Sequence, residues 1–259
     1  MNDVIVVTRH PGWAELQINR EEKRNAMNRV ARRSLLRVFA ELRSSVKTII
    51  LTGTGNSFCA GIDLKELEED RVQQIAGGGE EWIAVNLAIR SHPAIFIAAV
   101  NGLALGGGAT LINVCDLAIA STSASIGCPE IGFATYPGMA GPAIQLSGIT
   151  RKQAAWLVLT ANRIDGTTAE RWGMVNACVA PNELLPFARQ LAEKIVGFDP
   201  VALAESKKAL DCIPTEISTL PIAMNYGQMV NQVIRSKTGA QAEGAARFAA
   251  GVKNPGQGL

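Results

Sequence analysis

Leu16 and Ile18 alternate with Glu15 and Gln17 along WAELQIN (13–19), the period of two expected of a strand with one buried face. The apolar run DVIVVT (3–8) before it supplies a hairpin partner. KTIILT (47–52), AIFIAAV (94–100) and DLAIA (116–120) are short apolar runs bounded by turn residues, the pattern of strands covered by helices on both faces. Between them, Ala31, Leu35, Val38, Phe39 and Leu42 recur at helical spacing behind Asn28, a candidate N-cap, while Arg29, Arg33 and Arg37 occupy another face. Strands interleaved with helices predict an α/β body. Past about residue 180 the pattern changes. NELLPFARQLAEKIVGF (182–198), then DPVALAESKKALDCI (199–213) with Asp199 as N-cap and Pro200 at the first helical position, then the segment from Thr215 onward read as helices without strands. The expected division is an α/β core over 1–197 and a helical region over 198–259.

Residues 94–115 carry no charge and are long enough to span a bilayer. Gly102 and Gly106-Gly107-Gly108 interrupt the run, and a buried strand, a turn and a buried helix explain it without a broken spanning helix, so no membrane segment is expected. The 259 residues suffice for one to two domains at about 150 residues each, and the 47% hydrophobic and 19% charged fractions exclude disorder. A net charge of +2 leaves no global field for nucleic acid or an anionic membrane, so an anionic partner must be met locally. Five cysteines without a C-x-x-C pair fit a reducing compartment, and MNDVIVVTRHPGW does not read as a secretory leader, so the expected location is cytoplasmic. With two histidines, His10 and His92, a Ser-His-Asp triad or a His-rich metal site is not expected.

Three segments have the composition of a reactive site. In LTGTGNSFCAGIDLKEL (51–67) no Lys-Ser/Thr follows the glycines, which excludes a P-loop, and the dinucleotide fingerprint lacks its third glycine. What remains is the bend Ala60-Gly61-Ile62-Asp63, either an ordinary strand-to-helix turn or a way of pointing backbone amides into a cleft. AAVNGLALGGGATL (98–111) puts a glycine cluster at the start of a short apolar helix, where unobstructed amides and the helix dipole either bind a developing oxyanion or simply allow close helix-sheet packing. SASIGCPEIGFATYPGMAGP (123–142) holds Glu130, the sole carboxyl from Ser121 to Gln145. A carboxyl in such company either has a raised pKa suited to proton transfer or sits solvated at a strand end.

Together these segments, with NREEKRNAMN (19–28), LTANRIDGTTAERWGMVNACV (159–179) and a short AEGAARF (242–248), resemble the crotonase (enoyl-CoA hydratase/isomerase) superfamily. The resemblance implies a spiral of β-β-α units and a C-terminal helical region that assembles homotrimers or dimers of trimers. It implies an acyl-CoA substrate, with coenzyme A entering as part of the thioester and no permanently bound cofactor. The amides of Ile62 and Gly107 would form the oxyanion hole, Glu130 would match one catalytic glutamate, and the Gly138 amide would face the site. Lys23, Arg24, the Ala60 carbonyl and Asp63 would contact coenzyme A. The pattern departs from that of the hydratases at Thr110, where they carry their second glutamate. A threonine hydroxyl orients water or substrate but is no carboxylate base. Isomerisation or hydratase-lyase chemistry with one glutamate is therefore preferred over plain hydration, and a non-catalytic acyl-CoA-binding protein is the alternative of another class.

The other conspicuous residues read as structural. Arg29, Arg33 and Arg37 solvate a helix face; Glu66, Glu68, Glu69 and Asp70 do the same before Gly77-Gly78-Gly79, a mobile loop bordering the acyl pocket. Cys59 and Cys128 are expected to be buried, Asp116 to hold a strand start, and His10 and His92 to lie away from the motifs. Thr167 and Glu170 form a capping-box signature closed by Gly173. Ile62, Trp82, Phe133, Tyr136 and Met139 are candidates for the wall of an acyl pocket.

Overall fold

In a computed structural model, which describes residues 3–73, 75 and 78–258, the expected hairpin forms from β1 (Ile5–His10) and β2 (Trp13–Ile18), with Ile5 opposite Ile18. Asn28 caps α1 (Arg29–Leu42), its side chain accepting the Ala31 amide at 2.9 Å. Three β-β-α units follow. The first holds β3 (Thr48–Gly53), β4 (Ser57–Cys59), α2 (Leu64–Val72) and α3 (Gly78–Ser91); the second holds β5 (Ile95–Val100), β6 (Leu103–Leu105) and α4 (Gly107–Val114). The third holds β7 (Leu117–Ser121), β8 (Ser125–Gly127), a 3-10 turn over Pro129–Phe133, α5 (Ala140–Leu146) and α6 (Arg151–Thr160). After β9 (Arg163–Asp165), α7 (Gly166–Trp172) and β10 (Ala177–Val179) come α8 (Leu184–Val196), α9 (Pro200–Glu216), α10 (Leu220–Lys237) and α11 (Ala240–Ala249).

The first strand of each unit joins a six-stranded sheet of order β1-β2-β3-β5-β7-β10, parallel except at the hairpin, and the second joins a four-stranded sheet of order β4-β6-β8-β9. The chain thus winds as a spiral, the architecture the resemblance implies. Alternate strand residues serve two cores. Ile49, Leu51, Phe96, Ala98 and Val100 meet α1, α3 and α4, whereas Ile50, Ile97, Ala99 and Ile119 meet Leu184, Ala188, Ala192 and Ile195 of α8. Burial of each large aliphatic side chain is worth roughly 1.5–3 kcal/mol, so α8 is held by its apolar stripe. Helix α2 buries no residue and must be placed by polar contacts instead.

The uncharged run 94–115 folds as β5, a turn, β6 and α4, and among the described residues no helix is long and apolar enough to cross a membrane. Asp199 caps α9 by accepting the Ala202 amide at 2.8 Å, as its sequence indicated. Near its middle, α9 inserts Lys207, 3% exposed, between the Asp116 carboxylate (2.8 Å) and the carbonyls of Ile89 (2.8 Å) and Ala94 (3.0 Å). Asp116 also accepts the Phe96 amide at 2.8 Å, so it fixes the start of β7 to β5 and to the helical region. His92 is buried against the Phe39 carbonyl, and burial lowers its pKa to about 4; His10 stacks on Trp13. One cap differs from expectation. Asp165, not Thr167, caps α7 by accepting the Thr168 amide at 2.7 Å, because β9 ends two residues earlier than the capping-box signature suggests; Gly173 does close the helix, in a left-handed conformation.

Candidate active site

The bend after β4 and the start of α4 are packed backbone to backbone. Gly61 has φ +94°, and a methyl group built on it would lie 2.8 Å from the Leu105 carbonyl oxygen and 3.2 Å from the Gly107 nitrogen. Only glycine accepts both that dihedral and that approach. Met27 grips the bend from the other side: its amide donates to the Gly61 carbonyl at 2.7 Å and its carbonyl accepts the Asp63 amide at 3.1 Å. Ile62 lies between these two bonds, and its own N–H meets no protein acceptor among the described residues. Gly107, the first residue of α4, likewise has a free N–H, as the first turn of a helix dictates. Two unpaired donors are thereby set next to one another at a helix N-terminus, an arrangement suited to a developing oxyanion. Trp82 of α3 lies beneath them, fully buried, its ring 3.1 Å from where a methyl on Gly107 would stand.

Glu130 completes the group. It sits in the 3-10 turn rather than at a strand end, and its Oε1 is 2.5 Å from the position a methyl on Gly106 would take, so the carboxylate rests on the residue preceding the free Gly107 amide. Its Oε2 is buried without a hydrogen-bond partner, and burial raises the pKa above the usual carboxylate value of 4.5. Cys59 and Cys128 are buried as expected, and burial pushes both thiols up to about 12, which removes them as nucleophiles near neutral pH.

Thr110 is 1% exposed, and its hydroxyl donates back to the Gly106 carbonyl at 3.3 Å, one turn below the free amides. Gly138 does not open α5. It occupies an exposed turn two residues before Ala140, because Pro137 and the Tyr136 ring, seated against Gly141, delay the helix. Phe133 and Tyr136 are largely exposed and Met139 is half-buried, so Trp82 and Ile62 are the wall candidates nearest the free amides.

Lys23 and Arg24 are exposed on the turn over 21–24, with no ionic partner among the described residues, and the Arg24 carbonyl accepts the Ala60 amide at 3.0 Å. This bond carries the two cations to the rim of the oxyanion bend. Among the described residues the Ala60 carbonyl accepts no hydrogen bond. Asp63 differs: its carboxylate caps α2 and pairs with Arg20 at 3.0 Å, and hydrogen bonding from Arg20 offsets its burial to leave the pKa below the usual range. Its carboxylate is engaged with the protein on both counts. Glu66 and Asp70 are likewise not merely solvated. Glu66 accepts the Arg29 amide at 2.8 Å, and Asp70 pairs with the Arg29 guanidinium at 2.8 Å. Gly77 lies outside the described residues, and Gly78 and Gly79 open α3.

Sequence reasoning missed three residues that hold the bend. Asn25, fully buried with φ +58°, accepts the Arg20 amide at 2.9 Å and donates to the Thr54 and Ser57 carbonyls at 2.9 and 2.6 Å. Arg20 bonds the Ala26 carbonyl and Asp63. Arg32 is buried, and the signal was present: it falls on the same apolar stripe of α1 as Leu35, Phe39 and Leu42, where an arginine must find an acceptor.

A β-β-α spiral with two free amides facing one isolated carboxyl defines a crotonase-fold enzyme. The family model for enoyl-CoA hydratase/isomerase matches residues 8–254. The short-chain-enoyl-CoA hydratase of Clostridium acetobutylicum is 36% identical over 213 residues, 80% of this chain and 80% of that protein. The 2,3-dehydroadipyl-CoA hydratase of Escherichia coli is 31% identical over 208 residues, 80% of this chain and 81% of that protein. A crystal structure of an enoyl-CoA hydratase from Bacillus anthracis superposes with a TM-score of 0.88 at 28% identity, covering 99% of this chain and 100% of that one. The chain belongs to the enoyl-CoA hydratase/isomerase family.

Proposed function

We propose that the protein moves a proton on an unsaturated acyl-CoA through an enolate, with Glu130 as its single acid-base residue. The observation that carries this reading is the buried, unpartnered Glu130 oxygen, whose carboxyl rests on Gly106, the residue before the free Gly107 amide. A thioester α- or vinylogous proton is weakly acidic, and two donors on the carbonyl oxygen stabilise the enolate, typically by about 3–4 kcal/mol per donor. The Glu130 carboxylate takes the proton, the electron pair moves into the enolate, and the Glu130 acid returns the proton at another carbon. The net result is double-bond isomerisation. The same oxyanion hole serves hydratase-lyase chemistry, in which water adds and a retro-aldol cleavage follows. Coenzyme A enters as part of the substrate, with Lys23 and Arg24 as phosphate contacts and the Ala60 carbonyl open to the adenine amino group. The Gly138 amide, in its exposed turn, is a further contact to the site. No resident cofactor is needed for these steps.

Plain hydration is the second reading, favoured by the names of the two hydratases above. The Thr110 hydroxyl, buried and turned back on the Gly106 carbonyl, is no base for a water near neutral pH. Thr110→Glu should raise the initial rate of 3-hydroxybutyryl-CoA formation from crotonyl-CoA about tenfold or more, as an added positioned base would; equal initial rates from the two proteins, read by liquid chromatography, would count against the single-glutamate reading.

The helical region serves assembly in this reading. Leu220, Ile222, Met224 and Met229 on α10 are all more than half exposed, an apolar surface of the kind that marks a protein contact. We place the protein in the cytoplasm as a homotrimer or dimer of trimers. Mass photometry should give three or six times the 27.4 kDa chain mass, and a monomer at micromolar concentration would refute it.

A further inference from the structure

Arg32 is 1% exposed, and the one acid of α1, Glu41, pairs with Arg9 and Arg37 instead. The partners of Arg32 come from three other segments: Nη1 lies 3.0 Å from Glu66 of α2 and 3.1 Å from the Met27 carbonyl, and Nε lies 3.2 Å from Glu81 of α3. Two of these contacts lead to the free amides. The Met27 carbonyl also accepts the Asp63 amide, so Arg32 loads the residue that grips Ile62 from both sides. Glu81 precedes Trp82, whose ring lies against Gly107. The third contact holds α2, whose Leu64, Leu67 and Val72 are exposed and contribute no apolar anchor. A buried ion-pair network is often no more stable than well-packed apolar residues of the same volume, whereas removing Arg32 alone would leave Glu66 and Glu81 without their cation and cost stability. A stability loss is therefore expected of any Arg32 variant, and the positioning role is read from kcat and from the bound carbonyl instead.

We propose that Arg32 is the positioning residue of the oxyanion hole, holding the Ile62 amide through Met27 and the Gly107 amide through Glu81 and Trp82. This rests on the reading that those amides receive the thioester oxygen. It touches no substrate atom itself; it fixes the distance between two donors that belong to different β-β-α units.

The test compares wild type, Arg32→Met, Arg32→Lys, Glu66→Gln and, as control, Arg37→Met, whose parent side chain is 71% exposed on the same helix. The substrate is whichever of crotonyl-, 3-hexenoyl- or cinnamoyl-CoA the wild type turns over, carrying carbon-13 at the thioester carbonyl. Infrared difference spectra read the lowering of the carbonyl stretch on binding. Arg32→Met should lower kcat about ten- to a hundredfold, the cost of misplacing a reacting group by an ångström or less, with KM changed less than about threefold. Its bound carbonyl stretch should move back toward the free value, Arg32→Lys should recover part of both effects, and Arg37→Met should match wild type. A folded Arg32→Met with wild-type kcat and carbonyl shift overturns the proposal, as does loss in KM alone. If Arg32→Met does not fold, Arg32→Lys and Glu66→Gln decide by the same two readouts, and wild-type values in both overturn it. Failure of wild type itself to turn over or polarise any of the three esters refutes the functional reading and this proposal with it, before any variant is made.

Discussion

Glu130→Gln should lower kcat on an unsaturated acyl-CoA about a thousandfold, within the range that a positioned acid-base group supplies, while leaving the protein folded and the CoA ester bound. The substitution keeps shape and removes only the ionisable oxygen. Two pH measurements separate this loss from a structural one. Because burial holds the Glu130 pKa above 4.5, and the reaction needs the carboxylate, wild-type kcat/KM should rise with pH through that elevated pKa; the residual activity of Glu130→Gln should lack this limb. Stability should respond with the opposite sign. A carboxyl whose pKa is higher folded than unfolded carries no penalty below the unfolded value, and acquires one as pH rises past it, because the folded protein then holds a buried charge without a partner. Glu130→Gln should therefore melt at a higher temperature than wild type at pH 8, with the difference closing near pH 4. Retention of full activity, or a variant less stable at pH 8, would remove Glu130 from the role given to it.

The parts of this arrangement legible in the sequence were those set by local chemistry. The buried strands, the Asn28 and Asp199 caps and the glycine cluster at α4 follow from periodicity and from residues whose geometry is their own. Glu130 stood out because nothing charged surrounds it in sequence, and among the described residues it forms no ion pair. The four-stranded sheet was not legible, since β4, β6, β8 and β9 have three residues each, too few to show a period. Arg29, Glu66 and Asp70 were misjudged, and Arg32 missed, for a different reason. A charge run reads as solvated until the fold supplies partners, and theirs come from more than thirty positions away. Asp63 makes a contact that no local pattern foretold: its carboxylate, besides capping the N-terminus of α2, pairs with Arg20.

Gly61→Ala should disable the oxyanion hole while leaving the acid-base residue intact. The new methyl must hold a φ of +94°, which costs a non-glycine residue about 1–3 kcal/mol, and must also stand 2.8 Å from the Leu105 carbonyl oxygen. The obstacle is backbone, so relief requires either that the bend rotates, carrying the Ile62 amide with it, or that the β6–α4 junction retreats, carrying the Gly107 amide. Either movement separates the two donors. Loss of one such donor costs about a hundred- to a thousandfold in kcat, so the variant should fall in that range, with the bound thioester stretch returned toward its free value. The melting temperature should drop by several degrees, as a strain of about 1–3 kcal/mol does in a chain of this size. The pH limb assigned to Glu130 should persist in whatever activity remains, since the substitution leaves the carboxyl itself in place. A kcat within about threefold of wild type would mean that the Ile62 amide takes no part in the chemistry, because no placement of a methyl at Gly61 leaves both donors where they stand.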